Sequence, residues 1–278
     1  MAVEYYTGVF GRAPKGMWPS EGSVAEEIVP ALAENGIEWI ATDRQVLDRG
    51  MPGATHLRPY LIDGDKVAGN GGSDDDDLMI VFRDTEISDK VGFFYQSQPP
   101  GENIADFLLS VIGKAGNYGE PQRMLSVILD GENAWEWYSQ DHDAKQFLEG
   151  LYANLTKAYD AGAIITVTGS EYISGNTGRN VPAHPVTAMT EYEDLIPGSW
   201  IGGRLDTWIG EPEENLAWVY LKTARDEIEA AKAKLEPILG MPESYLVPPV
   251  EGGTKLAWWR AWRNVLSAEG SDWIWRYG

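Results

Sequence analysis

Four short apolar runs in this chain lead into side chains that can do chemistry. KGMWP (15–19) is followed by Glu21, IEWIA (37–41) by Asp43, LMIVF (78–82) by Arg83 and Asp84, and MLSVIL (124–129) by Asp130 and Glu132. No cysteine is present, and His56, His142 and His184 stand far apart in no metal-binding pattern. Thiolate catalysis, disulfides and an imidazole-rich metal centre are therefore set aside, which leaves carboxylates. A pair of them flanked by Trp18, Trp135 and Trp137 suits cleavage of a glycosidic bond, one acid protonating the leaving oxygen while the other attacks or activates water. For any single acid the competing reading is a helix N-cap or a solvated loop charge. Four such ends in succession favour a common rim.

The elements that must position these residues alternate. A helix from Ser23, with Glu26 as its capping-box partner and an apolar stripe through Val24, Ile28 and Leu32, precedes the strand 37–41. Residues 48–77 read as a long loop, because Gly and Pro recur and the run Asp74 to Asp77 closes it. Strand 78–82, helix 102–115, strand 124–129, helix 143–161 and strand 163–168 follow, while 213–238 and 251–268 read as two long helices. This alternation predicts an α/β fold with a mainly parallel sheet, open or bent into a barrel, whose active-site rim lies at the C-terminal strand ends. The expected domains are 1–169, the sheet with the acids, and 170–278, an irregular segment followed by a helical region.

Composition narrows the partners. With 43 acidic and 22 basic side chains the formal charge is −21, which opposes binding to nucleic acid or to an anionic membrane surface. No apolar stretch is long enough for a membrane span, and the first residues lack the basic-then-apolar order of a secretory signal. Twelve Trp and 13 Tyr exceed ordinary core filling, and flat amphipathic rings suit sugar faces. Trp258, Trp259 and Trp262, at helical spacing, read as core; Trp18, Trp200, Trp208 and Trp273, in loops or strand ends, read evenly as core or sugar platform. Asp74 to Asp77 reads as a solvated run rather than a calcium loop, and the Asn154-Leu155-Thr156 sequon falls inside a helix.

The strings GMWPSEGSVAEE (16–27), GIEWIATD (36–43), ILDGENAWEWY (128–138), TVTGSEYI (166–173), TWIGEPEENLAW (207–218) and AEGSDW (268–273) resemble glycoside hydrolase family 57, in particular its amylopullulanase and α-amylase-like members. The resemblance implies an incomplete seven-stranded β/α barrel followed by a helical region, and retaining cleavage of α-glucans such as starch, pullulan or maltooligosaccharides. It places the nucleophile on Glu21 and the general acid on Asp130, 109 positions apart. No cofactor and no metal is implied. Substrate contacts are expected from Trp18, Asp43, Arg83, Asp84, Glu132, Trp135, Trp200, Trp208 and Trp273. Thr85 stands where close relatives would carry a histidine. Because only 14 residues precede KGMWP, the chain is expected to correspond to the C-terminal part of a catalytic domain. Its first strand is then an uncovered edge prone to self-association, and its activity alone is weak or absent. The alternative function is that of an inactive glucan-binding or scaffold protein derived from such an enzyme.

Overall fold

The computed structural model describes residues 2–64, 66, 76–116, 120–133, 135–242, 247–250 and 252–275. Two compact units share them: Pro14–Gly203, and Met1–Ala13 with Arg204–Gly278. The latter begins with α1 (Ala2–Phe10).

In the Pro14–Gly203 unit the strands β1 (Gly16–Met17), β2 (Trp39–Asp43), β3 (Tyr60–Ile62) and β4 (Leu78–Arg83) form one sheet in the order β1-β2-β4-β3. The first three in that order run parallel; β3 is antiparallel to β4. Alternation along β4 sends Leu78, Ile80 and Phe82 to one core with Ile40, Val46 and Leu47, and Met79 and Val81 to another with Ala41 and Tyr172. Both faces are thus covered, as the continuous apolar runs IEWIA and LMIVF require. The edge at β1 is only two residues long, and so short a strand is a poor template for pairing with another chain.

Several expected elements are redrawn. Ser23 caps no helix: a 3-10 turn at Glu26–Ile28 leads into a short α2 (Val29–Glu34), with Pro30 inside its first turn. The expected loop 48–77 begins inside α3 (Arg44–Gly50) and contains β3. Beyond β4 come α4 (Thr85–Asp89), α5 (Pro100–Ala115), α6 (Lys145–Asp160) and α7 (Gly169–Ser174). Phe107 of α5 meets Phe147 of α6 edge to face at 6.3 Å, within a core that includes Val111 and Leu151. Of the Asp74 to Asp77 run, Asp74 and Asp75 lie outside the described residues.

Residues 124–129 and 163–168 are not strands. The edge of β4 is already taken by β3 at Leu78 to Ile80, so 124–129 reaches β4 only at its end, through a single parallel bridge between Arg83 and Ser126. Its other backbone groups go elsewhere: Ile128 accepts from Arg83 Nε and donates to Ser88 Oγ, and Met124 donates to the Leu57 carbonyl. In 163–168 only Ile164 is buried, and the Thr166 carbonyl accepts from Arg179. Between these segments and α5 and α6 lies an apolar cavity of about 620 Å³, lined by Val127, Leu129, Trp135, Phe147, Leu151 and Ile164 among others.

The boundary expected at Gly169 falls inside the Pro14–Gly203 unit, because the irregular chain after it returns to the sheet. Leu61 donates to Thr190, Tyr192 donates back to Leu61, and Tyr192 and Leu195 enter the core beneath β2 and β4. Trp39 is held tightly here: a Cβ on Gly16 would overlap its ring, one on Gly169 would come 2.5 Å from it, and its indole N–H donates to Ser170 Oγ at 3.2 Å. A ring gripped on both sides has nowhere to move. Gly16→Ala should therefore cost about 1 to 3 kcal/mol, read as a lower midpoint in urea unfolding; an unchanged midpoint would mean that Trp39 has room to shift.

The other unit holds α8 (Pro212–Leu239), α9 (Thr254–Ala268) and α10 (Asp272–Trp275). Glu211 and Glu214 form the capping box of α8, and Ile228 packs with Trp258 and Trp262, so the tryptophans at helical spacing are core. No helix among the described residues is long and apolar enough to cross a membrane.

Candidate active site

Glu21 lies four residues past the end of β1, in the 3-10 turn Ser20–Gly22. Its backbone is left-handed, φ 57° and ψ 23°, a conformation that costs a non-glycine residue about 1 to 2 kcal/mol and persists only where the surroundings enforce it. They do so at several points. Gly22 follows at φ 59°, where a Cβ would come 2.7 Å from the Trp18 ring. The Gly22 carbonyl accepts from Thr42 Oγ1 at 2.6 Å. The segment 198–200 is strapped alongside: Val24 and Gly198 exchange both backbone hydrogen bonds, and Trp200 N donates to the Glu21 carbonyl. Finally, Trp200 Nε1 donates to Glu21 Oε2 at 2.9 Å, and Trp18 and Trp200 meet edge to face at 5.9 Å.

Asp130 follows the segment that touches β4 at Ser126, and it is solvent-exposed. Desolvation by its surroundings raises its carboxyl above the usual range, and the negative charges of Glu132 and Glu21 add to this while Arg83 pulls the other way. Glu21 and Asp130 are therefore in electrostatic reach of each other, and Glu132 has the role of a charged neighbour. A carboxyl group shifted this way holds its proton to higher pH and is suited to act as an acid.

Asp43, Arg83 and Asp84 were expected to touch sugar, but their burial gives them other work. Asp43 and Arg83 are register partners at the ends of β2 and β4, and Arg83 Nη1 donates to Asp43 Oδ2 at 3.1 Å. Asp43 also caps α3 through Gln45 N and accepts from Thr85 Oγ1, so Thr85 is a brace for Asp43. Asp84 caps α4 through Ile87 N and receives His56 Nε2 and Lys114 Nζ. With 0% exposure for both aspartates and 4% for Arg83, none offers a sugar a surface. Trp135 turns its ring toward Tyr138 and the apolar cavity. In the other unit, Trp208 is 5% exposed and packs on Trp275, while Trp273 is 58% exposed.

Two carboxyl groups on separate segments, Glu21 and Asp130, thus act on each other through their charges. The model of glycosyl hydrolase family 57 matches residues 1–188. The chain belongs to this family. Among solved structures it is similar to the GH57-type branching enzyme from the hyperthermophilic archaeon Pyrococcus horikoshii, at 19% identity and TM-score 0.61, covering 98% of this chain and 54% of that one. A 4-alpha-glucanotransferase from Thermococcus litoralis matches at 20% identity and TM-score 0.48, over 80% of this chain and 30% of that one. A search of curated proteins finds no match. The family 57 chain spans about half the length of the branching enzyme it matches, and that likeness concerns the fold.

The contacts that sequence reasoning missed are those of Gln45, His56 and Lys114. Gln45 Nε2 bridges Asp43 and the Trp200 carbonyl. Only Asp43 carried a signal for this, since an aspartate just before a helical run is an N-cap candidate.

Proposed function

We propose that this chain carries the acid pair of an α-glucan-acting glycoside hydrolase, of the amylopullulanase or α-amylase type, working with retention. In this reading the four strands belong to an incomplete β/α barrel. Glu21 attacks the anomeric carbon and forms a glycosyl ester as Asp130 donates its proton to the departing glycosidic oxygen. Asp130, now a carboxylate, then takes a proton from the water that cleaves the ester. Trp18 and Trp200 stand beside Glu21 to meet the sugar, with Glu132 and Trp135 near the acid. The observation that supports the reading is Glu21 itself: a carboxylate held in a left-handed turn and receiving the Trp200 indole N–H, whose charge, with that of Glu132, bears on an Asp130 carboxyl that desolvation raises.

One observation favours glucan binding without turnover: the described sheet has four strands, against the seven that the family resemblance implies. A mechanism-based fluoroglycosyl fluoride separates the two. Retaining turnover should leave a glycosyl ester on the peptide containing Glu21, detected by mass spectrometry after proteolysis. Label on another carboxylate would move the nucleophile, and binding of maltooligosaccharides without any label would leave the binding function alone.

A further inference from the structure

The groups around Glu21 and Asp130 converge on one side chain. Arg83 closes β4, and its three nitrogens point in three directions. Nε donates to the Ile128 carbonyl at 3.0 Å, two residues before Asp130; Nη1 donates to Asp43 at 3.1 Å; and Nη2 donates to Asp89 Oδ1 at 2.6 Å. The guanidinium also lies over the Trp200 ring, 5.3 Å from its centroid. Trp200 is in turn the donor to Glu21 Oε2, and its carbonyl is held by Gln45. One planar cation thus grips the indole that holds one carboxylate and the backbone that leads to the other. A lysine has the charge but not the fork.

We propose that Arg83 is the positioning residue of this site, which sets the mutual orientation of Glu21 and Asp130 through the Trp200 ring and the Ile128 carbonyl. The proposal rests on the reading of those two acids as the reacting pair. Arg83 touches no substrate in this scheme. Its second effect is electrostatic: of the charged groups acting on Asp130, Glu132 and Glu21 favour the protonated form, and Arg83 opposes them. Removing the positive charge should let Asp130 keep its proton to higher pH.

Three variants of the full chain separate geometry from charge. Arg83→Met loses both, Arg83→Lys keeps the charge but loses the fork, and Trp200→Phe keeps an aromatic ring for Arg83 but loses the N–H donated to Glu21. Each should lower kcat on maltooligosaccharides about 100-fold, as expected for a misplacement near 1 Å, with KM changed only a few-fold. The basic limb of the kcat/KM profile should move to higher pH in Arg83→Met and stay in place in the other two. Independently of turnover, the indole N–H resonance of Trp200, with tryptophan labelled by 15N, should shift in both Arg83 variants. The Asp130 carboxyl, followed by 13C NMR, should titrate higher in Arg83→Met alone.

A wild-type kcat in Trp200→Phe would overturn the proposal, as would a raised KM at unchanged kcat in Arg83→Lys, which would return Arg83 to a sugar contact. Should Arg83→Met fail to fold, Arg83→Lys and Trp200→Phe still decide by kcat. Should the wild-type chain turn over no glucan, the proposed function fails by itself. The indole resonance and the Asp130 titration then decide the role of Arg83, and unmoved signals there overturn it.

Discussion

A Glu21→Gln chain should keep its fold and its affinity for maltooligosaccharides, while turnover falls by about 10⁴-fold or more, the scale of losing a nucleophile. The amide retains an oxygen that can accept from Trp200 Nε1 and occupies the same left-handed turn, so the unfolding free energy read in urea should change by less than about 0.5 kcal/mol. What it lacks is the negative charge that makes a carboxylate oxygen nucleophilic enough to attack the anomeric carbon and form an ester. Asp130→Asn should behave differently, losing about 10²- to 10⁴-fold on natural glucans, whose leaving oxygen needs a proton. On a glycosyl fluoride, whose leaving group needs no such help for bond breaking, kcat/KM should fall much less, although kcat stays low because the second step still lacks its base. Product chromatography on both substrate types reads the contrast. Glu21→Gln turnover above a tenth of wild type would assign the attack to another residue, and equal losses of kcat/KM on both substrates in Asp130→Asn would remove the general-acid role.

The legible parts of the fold are those whose pattern does not depend on distant neighbours. IEWIA and LMIVF form β2 and β4 because a strand covered on both faces must be apolar throughout, and the amphipathic runs give α5 and α6 almost to the residue. MLSVIL is just as apolar, yet it forms no ladder. Tyr60–Ile62, three residues hidden in a Gly-rich loop, occupies the edge that a neighbouring strand of β4 would need. A competition between two segments for one edge is a tertiary matter, and neither segment's own residues declare the winner.

The site divides in the same way. The placement of Glu21 and Asp130 after apolar runs was readable, and so was their motif resemblance. The indole donated to Glu21 comes from 179 positions away, and nothing near Trp200 announces it. Asp43 and Arg83 are occupied with each other, and the reason lies in the register of their strands. Opposite charges at the ends of adjacent parallel strands in register neutralise each other, and a buried pair satisfied in this manner has nothing left for a sugar.

Asp84 gives the largest expected effect on stability. Burial alone would push its carboxyl up, but hydrogen bonds from His56, Lys114 and the Ile87 N–H, with the Lys114 charge, outweigh that and hold it far below the usual carboxylate range. Lys114 donates to both Asp84 oxygens, at 3.0 and 2.8 Å, so Lys114→Met strands a carboxylate that has no exposed surface. Breaking a buried pair from one side costs about 3 to 5 kcal/mol, and the low end is expected because Lys114 is itself partly exposed. The sign of the pH dependence follows from the lowered value. A carboxyl depressed in the folded state stabilises fully above its unfolded pKa, near 3.9, and that contribution is lost as pH falls from about 5 through the folded value. Urea unfolding should therefore show the gap between wild type and Asp84→Asn to be widest at pH 7 and to narrow toward pH 2.5. The asparagine keeps an acceptor for Ile87 N but has no charge to lose, so its own curve should be flatter across that window. A gap of the same size at both pH values would mean that Asp84 is not held ionised by His56 and Lys114, and that its burial is sustained by packing alone.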